Sequence, residues 1–112
     1  KLIAVEPEHT ISDTVELMKK YDIEHIPVMD QGQPVGSISE NGLFQKMFSN
    51  PDIRKHKVSE LIEKAYPLVD FNTPVERIGT LITKENGAVL SRDETGNYHI
   101  VTKYDIIQAI AK

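Results

Sequence analysis

The sequence has 112 residues and a formal net charge of −4, and this length suits one compact domain with a core of its own. It has no cysteine, which excludes disulfide bonds and thiolate metal sites, and no apolar run near the roughly 18 residues that span a membrane. Because it has neither a signal peptide nor a basic face of the kind that binds nucleic acid, we expect a cytoplasmic protein without membrane or nucleic-acid partners.

The first part of the chain predicts a strand, a helix, a hairpin and a second helix. An apolar run at 2–5 predicts the strand, because a Glu-Pro pair stops it. Ser12 is a suitable N-cap for a helix whose apolar residues recur at helical spacing up to Tyr21. The next predicted elements are strands at 25–30 and 34–39, joined by a glycine-containing turn, and a helix at 40–48.

The same order then repeats after a polar stretch. Residues 49–57 contain a proline and no periodicity, which predicts a linker, and residues 58–62 predict one short helical turn. The elements predicted after it are a strand at 67–70, a helix at 73–83 capped by Thr73, strands at 87–91 and 98–102, and a helix at 103–112.

The repeat is visible in the residues themselves. The segment TISDTVELM aligns with PVERIGTLI at a spacing of 64, and GSIS aligns with HIVT at a spacing of 63. Each copy is too small for a good core. We therefore predict an α/β (α+β) fold of two β-α-β-β-α units that pack through their sheets about a pseudo-twofold axis.

These features together resemble the CBS domain pair, also called a Bateman module. The resemblance rests on HIPVMD followed by PVGSIS in the first copy, and on VTKYDII, with its T-x-x-D signature, in the second. It implies a first CBS repeat at 1–48, a linker at 49–57 and a second CBS repeat at 58–112.

Three details are similar to the C-terminal regulatory module of cystathionine β-synthase or of a bacterial relative. They are Gly42 in place of the usual aspartate, the shortened second copy, and the end of the chain soon after its last helix. The resemblance implies a non-catalytic fragment cut from a larger pyridoxal-phosphate-dependent lyase of sulfur amino-acid metabolism. Its expected partners are the catalytic domain of that parent chain, a small adenosyl ligand and a second copy in a homodimer.

Thr102 and Asp105 lie three residues apart, where a predicted strand meets a predicted helix. Two interpretations fit them. The pair is close to a capping box, and an acidic group in the first helical turn suits the helix dipole without any ligand. Alternatively, the carboxylate accepts hydrogen bonds from the two hydroxyls of a ribose, which is the use that the family resemblance implies.

The resemblance also implies an apolar slot for the adenine ring, although plain packing would explain the same residues. The slot would be lined by Ile3, Leu17, Ile23, Glu24, His25 and Ile100. The candidate ligands are S-adenosylmethionine, AMP and ATP. Glu24 suits the positive sulfonium of the first, whereas a triphosphate would need Lys103 and Lys1.

The equivalent position in the first copy is degenerate. Ser39 retains a hydroxyl, but Gly42 cannot hold a ribose and Asn41 is a neutral neighbour, so we expect this site to be empty. Two function classes follow: a regulatory module that senses an adenosyl ligand, or a structural dimerisation or autoinhibitory module with a vestigial nucleotide site.

No catalytic or metal site is expected, because the four histidines lack metal-ligand spacing and no nucleophile elbow or phosphate-binding loop occurs. The homodimer is expected to form through the helices that follow each hairpin. The apolar residues predicted to be exposed there are Leu43, Met47, Ile106 and Ile110.

Overall fold

The computed structural model describes residues 2–111. Lys1 and Lys112, which open the first predicted repeat and close the last predicted helix, lie outside the described residues. The chain divides into two compact units, one of residues 3–65 and one of Leu2 with residues 66–111. Each unit is described by itself below.

The unit of residues 3–65 contains four helices and a two-stranded sheet. In chain order its elements are α1 (Ile11–Tyr21), β1 (His25–Asp30), β2 (Gln33–Ser39), α2 (Glu40–Ser49), a 3₁₀ helix (Pro51–Lys55) and α3 (Val58–Leu61). The predicted linker is therefore partly helical, and the predicted turn after it is confirmed as α3.

The prediction of Ser12 as the cap of α1 is wrong. Thr10 is the N-cap: its Oγ1 accepts a hydrogen bond from the Asp13 N–H at 3.1 Å, and Asp13 Oδ2 accepts one from the Thr10 N–H at 3.1 Å. This reciprocal pair satisfies two backbone donors at once, which the hydroxyl of Ser12, the second residue of the helix, does not.

The predicted strand at 2–5 is also wrong, since pairing is confined to one residue. Val5 forms an isolated parallel bridge with Val28, in which its N–H donates to Pro27 O at 3.1 Å and its carbonyl accepts from the Met29 N–H at 2.8 Å. The chain turns directly after Glu6, so the ladder ends before a strand can form.

Strands β1 and β2 form the predicted antiparallel hairpin. His25 lies opposite Ser39, so the end of β2 returns to the start of β1. The two turn residues, Gln31 and Gly32, both have positive φ, at 51° and 78°. Positive φ at both central residues is typical of the tight turn that matches the twist of a hairpin.

The core of this unit is formed by residues from α1, α2, α3 and both strands of the hairpin, together with Val5. Leu43 belongs to it and is only 5% exposed, and Met47 packs against it, so the prediction that this pair is exposed is wrong. The exposed pair is Phe44 and Phe48, one residue further along the same helix. Positions four apart share a face of a helix, and the core takes the first of these two adjoining rows. The buried residues are Val5, Ile11, Met18, Ile26, Val28, Ile38, Leu43, Val58 and Leu61.

The second unit contains a three-stranded sheet and two helices. Its elements are β3 (Leu68–Asp70), α4 (Val75–Leu81), β4 (Ala88–Arg92), β5 (Tyr98–Thr102) and α5 (Lys103–Ile110). The prediction of Thr73 as the cap of α4 is wrong. Pro74 is the N-cap, because its backbone is extended, at ψ 147°, and the helix therefore starts at Val75. No side chain hydrogen-bonds to this helix start as a cap.

The two units share one strand topology. In the second unit β3 is parallel to β4, and β4 is antiparallel to β5, with Ala88 opposite Thr102. In the first unit the Val5 bridge is parallel to β1, and β1 is antiparallel to β2. The predicted fold class, mixed α/β with two small sheets, is confirmed. The boundaries of the repeats and the pseudo-twofold axis stay predictions.

Candidate functional site

The head of α5, the junction where β5 ends and α5 begins, holds the predicted pair Thr102 and Asp105. Asp105 Oδ2 accepts a hydrogen bond from the Thr102 N–H at 2.8 Å and another from Thr102 Oγ1 at 3.1 Å. The two residues are thus brought together as the sequence predicts. Both bonds end on the same carboxylate oxygen, so the side chain is fixed in direction while its other oxygen, Oδ1, is left for a different partner.

Asp105 is exposed, and no side chain from elsewhere in residues 2–111 hydrogen-bonds to it or to Thr102. An ionised carboxylate has about four acceptor sites, and Thr102 uses two of them. A helix start also supplies first-turn N–H groups without intrahelical partners and the positive end of the helix dipole. The carboxylate at the head of α5 can therefore accept hydrogen bonds from two hydroxyl groups of a ligand. The nearby N–H groups and the helix dipole suit a negatively charged part of the same ligand.

The head of α2 is the equivalent junction in the first unit, and it differs. Ser39 Oγ accepts a hydrogen bond from the Gly42 N–H at 3.0 Å and donates one to Glu63 Oε1 at 3.0 Å. Lys46 Nζ lies 3.9 Å from Glu63 Oε2. The third predicted residue of this degenerate site, Asn41, is exposed on the first turn of α2.

The carboxylate of Glu63 is a functional group that the sequence analysis missed. It comes from a residue 24 positions after Ser39, just beyond the short helical turn predicted at 58–62. The only hint in the sequence is the missing acidic side chain at position 42, which does not say where a replacement comes from.

The head of α1 provides a third example of the same geometry. Thr10 and Asp13 form a complete capping box there, and the Thr10 N–H, followed by its hydroxyl, lowers the pKa of Asp13. Residues 56–58 lie across this helix start, because the Ile11 N–H donates to His56 O at 2.9 Å. Among these three heads, α1 and α2 are each contacted by a later segment of the chain.

The remaining predicted site residues lie in both units. Ile3, Leu17 and Ile23 pack against the core of the first unit, and Ile100 packs against Tyr66, Ala88 and Leu90 in the second. Packing therefore accounts for the four aliphatic residues, as the alternative interpretation expects. Glu24 is exposed, and its carbonyl accepts a hydrogen bond from the Glu40 N–H at 2.9 Å; His25 is half-buried at the start of β1. Their binding roles stay predictions.

The turn between β4 and β5 contains the most strongly perturbed carboxylate. Asp93 accepts hydrogen bonds from His99, Thr95 and Asn97, with His99 Nε2 at 2.8 Å, and His99, followed by Thr95, lowers the pKa of Asp93 well below its ordinary value. These bonds close the turn on itself. Within residues 2–111, no group of three His, Asp or Glu side chains is placed to hold a metal ion.

Residues 1–49 match the family model of the CBS domain. The fold is similar to that of a CBS-domain containing protein from Agrobacterium tumefaciens, with a TM-score of 0.86, 17% identity, and 98% of this chain and 90% of that chain covered. It is also similar to the CBS domain of a bacterial CNNM/CorC family Mg²⁺ transporter in complex with ATP, with a TM-score of 0.80, 21% identity, and 99% and 80% covered.

A third similar structure is CBSX2 in complex with AMP, with a TM-score of 0.75, 23% identity, and 99% of this chain and 88% of that chain covered. At these identities the likeness shows the fold alone. No curated protein sequence matches the chain significantly. None of the helices in the described part of the chain has both the length and the apolar character needed to cross a membrane.

Proposed function

We propose that this CBS-domain protein is a regulatory module that binds one adenosyl ligand at the head of α5. Residues 1–49 match the family model, and nearly all of the chain shares the fold of CBS-domain structures. The observation that carries the proposal is the exposed Asp105 carboxylate. Thr102 holds one of its oxygens and leaves the other available.

The chemistry of the site supports a ribose as the group recognised. Two vicinal hydroxyls donate to one carboxylate, and bonds of this charge-assisted kind are shorter and stronger than neutral ones. A hydrogen bond to a charged group contributes about 1.5–3 kcal/mol. Losing the charge of Asp105 should therefore weaken binding by at least about tenfold.

The class of ligand is supported by similar structures that contain AMP and ATP. S-adenosylmethionine has the same adenosine and is the third candidate. Lys103 is the first residue of α5 and favours a phosphate, whereas Glu24, which is exposed in the first unit, would favour a sulfonium as the family resemblance implies. The three compounds are therefore compared directly in the test.

The test is calorimetric titration of the chain with S-adenosylmethionine, AMP and ATP, using two matched variants. Asp105→Asn keeps the size of the side chain and removes its charge. Asp13→Asn makes the same change in the capping box at the head of α1, so it controls for the loss of a helix cap.

We expect one ligand per wild-type chain, at least about tenfold weaker binding for Asp105→Asn, and unchanged binding for Asp13→Asn. Equal binding by wild type and Asp105→Asn would show that the site is misassigned. If wild type binds none of the three compounds, Asp105 is only a cap and the proposal fails.

The second candidate function is a structural dimerisation or autoinhibitory module with a vestigial nucleotide site. The observation that favours it is the head of α2, where a glycine replaces the acidic residue and Glu63 occupies the neighbouring space. A chain that binds no adenosyl compound but still restrains a catalytic domain would fit this alternative.

We further propose that the parent chain is a pyridoxal-phosphate-dependent lyase of the cystathionine β-synthase type, on the sequence resemblance alone, and that the module acts in the cytoplasm.

We also propose a homodimer formed through α2 and α5. Phe44 and Phe48 are 66% and 82% exposed and stack on each other with ring centroids 6.0 Å apart. On α5, Tyr104, Ile107 and Ile110 are exposed as well. Large apolar side chains grouped on a surface usually mark an association site.

Sedimentation at micromolar concentration tests the dimer. Phe48→Ser with Ile110→Ser should convert the dimer to monomer, while Val35→Ser, which removes an exposed apolar side chain from β2, should leave it dimeric. A wild-type chain that sediments only as a monomer contradicts the proposal.

A further inference from the structure

Gly42 leaves a space at the head of α2, and the carboxylate of Glu63 fills it. A methyl group built on Gly42 would overlap Glu63 Oε2, and it would lie 3.0 Å from both Glu63 Cδ and Ser39 Oγ. Any larger side chain at position 42 therefore has to displace Glu63. A side chain at position 42 thus requires the carboxylate of Glu63 to move away and to give up its hydrogen bond with Ser39.

Glu63 is held at this place by its backbone. Its N–H donates to Ser37 O at 2.8 Å, and its carbonyl accepts from the Ser37 N–H at 3.0 Å. The adjoining residue is fixed too, because Ser37 Oγ donates to Lys64 O at 2.6 Å. Because the backbone of Glu63 is already fixed, only its side-chain rotamers lose freedom when the carboxylate points at Ser39.

Residues 62 and 63 also lie very close to Gly36 in β2. A methyl group built on Gly36, in β2, would overlap the side chain of Ile62 and would lie 2.8 Å from Glu63 O. In addition, Lys46 Nζ donates to Leu61 O at 3.3 Å. Residues 61–64, which we call the clasp, are thus attached to both β2 and α2.

Ser39 has no hydroxyl proton left to donate to a ligand in this arrangement. Its oxygen accepts from the Gly42 N–H and its proton is donated to Glu63. The ion pair with Lys46 is a smaller contribution, because half-exposed pairs at 3.9 Å are worth little. The features that distinguish the head of α2 are therefore the Glu63 carboxylate in the space beside Gly42 and its hydrogen bond with the Ser39 hydroxyl, rather than the ion pair.

We propose that Glu63 supplies the carboxylate of the head of α2 from outside the helix, and that it closes this head to an adenosyl ligand. The part about the ligand rests on the proposed function; the part about the space does not. Glu63 is on this account the residue that limits binding to one ligand per chain.

The first test measures thermal unfolding and needs no ligand. Gly79 is also helical, and a methyl group there would meet only Ile106 Cγ2 at 3.9 Å, so Gly79→Ala is the matched control. It should raise Tm by about 2–5 °C, the ordinary gain of alanine over glycine in a helix. Gly42→Ala should give no such rise in the wild-type chain, and should give it in the Glu63→Ala background.

The Glu63→Gln background separates bulk from charge, because glutamine fills the same space. Gly42→Ala should fail to raise Tm there, as in wild type. A rise in Tm for Gly42→Ala that is equal in the wild-type and Glu63→Ala backgrounds overturns the proposal, and so does a rise in the Glu63→Gln background.

The second test is the number of S-adenosylmethionine, AMP or ATP molecules bound per chain. Gly42→Asp combined with Glu63→Ala places a carboxylate on α2 and removes the one that occupies its space, so it should bind two molecules where wild type binds one. Gly42→Asp alone should bind one. A double variant that still binds one overturns closure by Glu63.

Failure of the proposed function has a different signature. Wild type then binds none of the compounds, while the dependence of the Gly42→Ala effect on Glu63 is still measured by Tm.

Discussion

The heads of α2 and α5 occupy equivalent places in two copies of one supersecondary unit, and each has a carboxylate. At α5 the carboxylate belongs to the third residue of the helix, and at α2 it arrives from Glu63. An anion at a helix start is favourable in both cases because of the helix dipole. The difference is that Asp105 is hydrogen-bonded to Thr102 within its own helix start and faces solvent. Glu63 belongs to a distant segment, whose backbone is hydrogen-bonded to Ser37 in β2.

The comparison therefore separates two requirements that a T-x-x-D motif usually meets together. A helix needs a partner for its first N–H groups, and any source of an acceptor suffices. A ligand needs that acceptor to be accessible. The head of α2 meets the first requirement through Ser39, whose Oγ accepts from the Gly42 N–H, but the nearby carboxylate of Glu63 already accepts from Ser39. The head of α5 has an accessible carboxylate as well.

The largest expected effect comes from detaching the clasp. Leu61 is buried in the core of the first unit, so Leu61→Ala should lower the free energy of unfolding by about 2–5 kcal/mol. Leu68→Ala, at a half-exposed position of β3, should cost under about 1 kcal/mol. Urea denaturation measures both. Similar small losses would mean that the clasp is not anchored by the core.

A smaller effect is expected from the cap of α2. Ser39→Ala removes the acceptor for the Gly42 N–H and the donor to Glu63, and an N-cap lost to alanine costs about 1 kcal/mol. In the Glu63→Ala background the cost of Ser39→Ala should fall, because one of its two bonds is already absent. Chemical denaturation of the four chains gives this coupling, and strict additivity would contradict it.

The smallest effect concerns the two hairpin turns. The first uses the positive φ of Gln31 and Gly32, and the second uses the carboxylate of Asp93. His99 and Thr95 lower the folded-state pKa of Asp93 below its unfolded value, so its stabilisation is present above that unfolded value, near 3.8, and is lost as the pH falls toward the folded-state pKa.

Amide exchange measured by NMR checks this prediction. From about pH 5 to about pH 2.5, protection of β4 and β5 should decline more than protection of β1 and β2. In Asp93→Asn this difference between the hairpins should shrink. An equal decline in both hairpins of the wild-type chain would rule out a special role for Asp93.

Local patterns predicted the hairpins and the helices that follow them. The predicted bounds of β1 and β5 agree with those in the structure, because each strand is a short apolar run that is bounded on either side by a turn or a helix cap. Thr102 and Asp105 were found for the same reason, since both partners lie within one helical turn.

What the sequence missed depends on contacts between distant residues. The acceptor at the head of α2 comes from 24 residues away, and the strand predicted at 2–5 has a single bridge because its neighbours turn away. Leu43 and Phe44 are adjacent apolar residues, and only the packing of the unit decides which one is buried. A one-dimensional pattern contains no information on these choices.

The clasp, together with α3 before it, also has a consequence for the order in which the chain can fold. Residues 58–64 provide two members of the first unit's core, Val58 and Leu61, and the backbone partner of Ser37 on the free edge of β2. A nascent chain that has emerged only as far as Ser49 therefore has an incomplete core and an unpaired edge. Its first unit can close only after Lys64 has left the ribosome, by contacts that span more than 20 residues and are slow to form compared with local ones.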